Sequence, residues 1–134
     1  MLNRRDSREA VLGLIYENEY GLYEDKTALY ENAVAARGIE ENEYIRTLYF
    51  GILEKSAELD AYIEKYAKGR NLSRISKVAK SIMRISIYEM LYIEDIPANV
   101  SINEAVELAK RYDDEKTKAF VNGILNAVKE ELGK

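Results

Sequence analysis

Residues 78–92 read VAKSIMRISIYEMLY, and this stretch decides the fold. Wound at 3.6 residues per turn, Val78, Ile82, Ile85, Tyr88, Glu89 and Tyr92 line one face, while Met83, Ile87, Met90 and Leu91 fill the others and Ile75 stands just ahead. A helix that is apolar most of the way round sits at the centre of a domain, with other helices around it. Residues 78–92 are therefore expected to form the core element.

On the N-terminal side, Gly69, Asn71 and Ser73 mark a loop. Before it, Tyr44, Ile45, Leu48, Tyr49, Ile52 and Leu53 keep a helical period that Leu59, Tyr62, Ile63 and Tyr66 resume, which predicts two helices broken at Ser56. Thr27 is the expected cap of a shorter helix that runs to Arg37 and stops at Gly38. Val11, Leu14 and Ile15 place an amphipathic helix over 7–20, ending near Gly21. On the C-terminal side, Asp95, Pro97 and Asn99 break the chain, and Ser101-Ile102-Asn103-Glu104 has the form of a capping box, predicting a helix from Ile102 to Tyr112. Thr117 is the expected cap of a last helix lined by Phe120, Val121, Ile124, Leu125 and Val128, in which Gly123 is expected to permit close packing. No alternating strand pattern and no fixed-period repeat is present. The expected fold is all-α, one domain over residues 1–134 with about seven helices.

Composition limits the function. The chain has 134 residues, 47% of them apolar and 33% charged, enough for one core and too few for two domains of ordinary size. With no Cys and no His, it has no thiol nucleophile, imidazole base or usual zinc ligand, so most catalytic constellations are excluded and no enzyme is expected. No nucleotide-binding glycine motif occurs, and carboxylate pairs such as Glu104 with Glu107 lack the His that a di-iron bundle needs. Neither a metal nor a cofactor is expected. The charged start and the absence of a long apolar run predict a cytoplasmic protein without a membrane span.

The net charge of −4 is unevenly spread. From Lys65 to Tyr88 there are seven basic residues and no acidic ones; from Glu9 to Glu64 there are thirteen acidic residues against four basic ones. Arg4, Arg5 and Arg8 cluster at the start, where a helix would bring them to one side. Eleven Tyr against two Phe and no Trp offer ring faces for bases, although most are expected at the edge of the core.

Four segments also carry a family resemblance. RRDSREA at 4–10 followed by Leu14-Ile15-Tyr16, then IMRISIYEM at 82–90, INEAVELAK at 102–110 and FVNGILN at 120–126 closely resemble the NusB transcription antitermination family in order and spacing. Between Glu17 and Lys65 the likeness is one of helical pattern. The resemblance implies two packed helical subbundles and a non-catalytic RNA-binding role. In that role the protein binds the boxA element of nascent RNA together with NusE, a small-subunit ribosomal protein, and the complex passes to RNA polymerase. It implies RNA contacts for Arg4, Arg5 and Arg8, then for Tyr16, Phe120 and Asn122. Arginine forks suit phosphates and base edges.

The chain departs from the family pattern at several points. Asp6 stands beside the arginine pair and weakens phosphate attraction there, whereas Lys116 and Lys118, where many members are acidic, strengthen it. The region implied to meet NusE includes Tyr66, Arg74 and Ala79; Ala79 replaces an acidic residue, and a Trp common upstream is replaced near Arg70. The alternative is a helical interaction module, or a homodimer, that binds no RNA.

Overall fold

A computed structural model describes residues 3–19 and 25–134. They form seven α-helices: α1 (Arg4–Asn18), α2 (Lys26–Arg37), α3 (Glu43–Glu54), α4 (Ser56–Tyr66), α5 (Lys77–Tyr92), α6 (Ala98–Tyr112) and α7 (Glu115–Leu132), with one 3-10 turn at Leu72–Arg74 and no strand among the described residues. The expected stop near Gly21 lies outside the described residues; α1 itself ends at Asn18.

The central helix is where the sequence puts it. α5 touches α1, α3, α4, α6 and α7, and every residue from Ala79 to Ile87 is buried. α1 packs on α2 and α3, and α7 packs on α4 and α6, giving two subbundles that share α5. Ile82, Met83 and Ile87 are fully buried with Leu14, Leu48, Ile52, Ile63, Leu125 and Val128 around them. The break at Ser56 is also real: its hydroxyl donates to the carbonyls of Ile52 and Leu53, closing α3 as α4 begins. Gly38 ends α2 in the left-handed conformation at φ 63°.

Several helix starts differ from expectation. Asp25, two residues before Thr27, caps α2 by accepting from the Thr27 and Ala28 N–H groups, and Asp114 caps α7 by accepting from Thr117. α6 starts one turn early, at Ala98 after Pro97, so Ser101 is inside the helix and makes no capping box. Its side chain is drawn into the core. Gly123 does not mediate close packing, since a Cβ there would meet nothing within 4 Å.

Candidate nucleic-acid interface

Asn3 caps α1 by accepting from the Asp6 N–H at 2.8 Å, which sets the arginines on the first two turns. Arg4 and Arg5 are exposed. Arg8, one turn on, is not: it is 4% exposed, and its Nε donates to Glu89 Oε2 at 2.8 Å. The expectation that all three arginines face a ligand is corrected here, because Arg8 on the inner side of α1 is enclosed by α5.

Glu89 is 0% exposed and receives three donors. Besides Arg8, the Tyr44 hydroxyl donates to Oε2 and Ser101 Oγ donates to Oε1 at 2.8 Å. Since the Ser101 proton is committed to Glu89, the Ser86 hydroxyl is the donor in its 2.8 Å contact with Ser101. A buried carboxylate with that many donors is satisfied, and losing one partner would leave charge uncompensated in a dry interior. Burial draws the Arg8 pKa down, but Glu89 and its hydrogen bond outweigh burial and hold it above the ordinary value. Burial, followed by the Glu89 charge, pushes the Tyr44 pKa up. The network joins α1, α3, α5 and α6 beneath the arginine end of α1. Asn42, the cap of α3, adds a bond to the buried Ser7 hydroxyl at 3.0 Å.

Above this base the exposed arginines have partners of their own. Arg4 Nη2 donates to Asp95 Oδ2 at 3.1 Å, with its guanidinium 5.2 Å from the Tyr44 ring centre. Arg5 donates to both oxygens of Glu104, from Nε at 3.3 and 3.1 Å and from Nη2 at 3.1 Å. Farther along α1, Glu9 accepts from Arg111 and from the Tyr112 hydroxyl at the end of α6. Tyr16 lines a neighbouring groove of about 250 Å3 with Glu9, Leu12, Gly13, Val78 and Tyr112. The α6 end leads directly to Lys116 and Lys118; Lys116 is exposed, and Lys118 is 3.8 Å from Glu115.

Phe120 belongs elsewhere. Its ring lies under the Arg70 guanidinium at 4.8 Å, and it shares a groove of about 400 Å3 with Tyr66, Lys68, Arg70 and Gly123. One residue expected to meet RNA and one expected to meet a protein thus share a single groove. Asn122 is exposed and accepts from Asn126, and Tyr66 donates to Glu131. Arg74 is exposed in the 3-10 turn, but Ala79 is 2% exposed and offers no surface to a partner in this fold. The basic run is divided: Lys65 pairs with Glu131, Lys80 with Glu19, and Arg84 with Glu19 and Asp60, while Lys68, Arg70 and Arg74 are exposed.

Glu89, Tyr44, Ser101 and Glu104 were missed as parts of this site. Glu89 had a readable signal, an ionisable residue inside an apolar run, which requires a partner. Glu104 had none, since its sequence context reads as a cap.

A central helix wrapped by others, with an arginine-tipped helix fixed to it by a buried ion pair, defines an all-α domain that offers a cationic helix end on a rigid base. The NusB family matches residues 5–130, and the chain belongs to that family. The transcription antitermination protein NusB of Ruminiclostridium cellulolyticum is 44% identical over 129 residues, spanning 95% of this chain and 88% of its own. That of Bacillus cereus (strain B4264) is 40% identical over 132 residues, spanning 98% and 100%. The structure of T. maritima NusB is similar with a TM-score of 0.85 at 33% identity, over 97% of this chain and 92% of that one. A NusB from a complex of antitermination factors NusB and NusE with double-stranded RNA shares the fold, with a TM-score of 0.84 at 24% identity over 96% of each chain.

Proposed function

We propose that the protein is a transcription antitermination factor, a non-catalytic RNA-binding adaptor. It acts in the cytoplasm on nascent RNA carrying a boxA element, together with NusE, and the complex promotes rRNA transcription by RNA polymerase. The observation that carries this reading is the arginine-tipped α1: Arg4 and Arg5 are exposed while Arg8 anchors the next turn to Glu89. Family membership over residues 5–130 supports it. The protein works by positioning, with no bond made or broken. Arg4 and Arg5 meet phosphates, Tyr16 lies farther along α1, and Lys116 and Lys118 extend the cationic track beyond α6. Phe120 and Asn122 contribute from α7, with Tyr66 and Arg74 toward the protein partner.

Fluorescence-anisotropy titration of a boxA-like RNA oligomer and a scrambled one, each with and without NusE, tests the reading. Selective binding that NusE strengthens is expected. Equal or absent binding of both RNAs with NusE present would instead favour a helical interaction module.

A further inference from the structure

One edge of the Arg5 guanidinium is already taken. Its Nε and Nη2 groups meet the Glu104 carboxylate at 3.1–3.3 Å while the arginine side chain stays 60% exposed, and the cleft lined by Arg5, Arg8, Glu104, Glu107, Leu108 and Arg111 holds about 20 Å3. That is room for one water and not for a phosphate. A carboxylate gripped in this way takes the coplanar Nε and Nη2 donors that a phosphodiester would take side-on, so the two anions compete for that edge. Glu104 is also well placed to hold on. It stands in the middle of α6 with its side chain 18% exposed, so the carboxylate comes on a rigid element. The pair between Arg4 and Asp95 is different: one contact, to an acid 69% exposed where Glu104 is 18% exposed, of the kind that contributes little in water.

We propose that Glu104 is an internal competitor for Arg5, occupying its guanidinium until an RNA phosphate displaces it, and thereby sets the affinity of the α1 end for RNA. The proposal rests on the RNA-binding reading above. Displacement leaves the freed carboxylate beside the RNA, near Glu107, so Glu104 opposes binding both before and after the exchange.

The test is a double-mutant cycle on the full chain, titrating the boxA-like RNA against Glu104→Gln, Arg5→Ala and the two combined. Gln keeps the shape and one acceptor oxygen but removes the charge. Glu104→Gln is expected to bind about three-fold more tightly than the parent, Arg5→Ala more weakly, and Glu104→Gln to tighten binding clearly less once Arg5 is gone, where only its repulsion of the RNA is left to remove. Glu104→Asp keeps the net charge but withdraws the carboxylate from the fork, and is expected to tighten binding as well. Equal tightening with and without Arg5 would reduce Glu104 to long-range repulsion and overturn the proposal. Weaker binding by Glu104→Gln, with urea unfolding unchanged, would make Glu104 a positioning residue for Arg5 and overturn it too. If the parent chain binds no RNA, the functional reading falls and this proposal with it; a parent that binds while the cycle is additive removes this proposal alone.

Discussion

Arg8 and Glu89 show how one buried pair changes the meaning of a sequence cluster. Arg4, Arg5 and Arg8 look equivalent as three basic residues within five positions, yet Arg8 is 4% exposed and bonded to a carboxylate that is itself fully buried. Replacing Glu89 by Ala is expected to destabilise the fold by about 3–5 kcal/mol, read by urea unfolding, because the Arg8 charge is left without its partner. Arg8→Ala is expected to harm stability for the mirror reason, which makes it a poor probe of RNA contact. The double variant Arg4→Ala/Arg5→Ala is the clean probe, since both side chains are exposed. If about four phosphates are neutralised, log affinity falls with log salt at a slope of about −3, or roughly 50-fold between 50 and 200 mM. The double variant is expected to about halve that slope with helicity unchanged. An unchanged slope would remove Arg4 and Arg5 from the interface.

Among the elements, helix positions were readable where periodicity set them and misread where a cap did. α5 follows from its apolar residues alone, and the α3–α4 break follows from Ser56. The starts of α2 and α7 are set by Asp25 and Asp114, whose carboxylates reach the free N–H groups better than the threonines downstream. Asp114→Ala is expected to lower stability in urea unfolding, because the Thr117 N–H loses its acceptor. The local pattern S-x-x-E marks Ser101 as a cap, but the chain turns into α6 at Pro97 and the serine serves Glu89 instead. A glycine inside α7 suggests a packing residue at Gly123. With nothing within 4 Å of its would-be Cβ, Gly123→Ala is expected to raise stability by about 1 kcal/mol through helix propensity; a loss in urea unfolding would restore the packing role.

At the scale of the whole molecule, charges far apart in sequence cancel in space. Glu19, near the end of α1, accepts from Lys80 and Arg84, which also ties α4 to α5 through Asp60. Burial raises the Glu19 pKa, but the two cationic donors outweigh it and bring it below its ordinary value of 4.5. That stability is present above pH 4.5 and is lost as pH falls through the lowered value. On the alkaline side, burial pushes Tyr49 from 10 up to about 12, so its contribution is full below pH 10 and falls between pH 10 and about 12 as the unfolded chain ionises first. Unfolding free energy against pH is therefore expected to fall at both ends. A flat response across the alkaline window would separate Tyr49 burial from stability.

The sequence by itself determined the all-α class, the central helix, most helix positions and the family, because apolar periodicity and four ordered motifs are local properties of the chain. Which arginines are exposed, which acids they meet and which grooves the aromatic residues share came from tertiary packing. Arg5 meets Glu104 and Arg8 meets Glu89 across sequence separations of 99 and 81 residues. Burial and ion pairing depend on which helices pack side by side, so the spacing of residues along the chain carries no record of them.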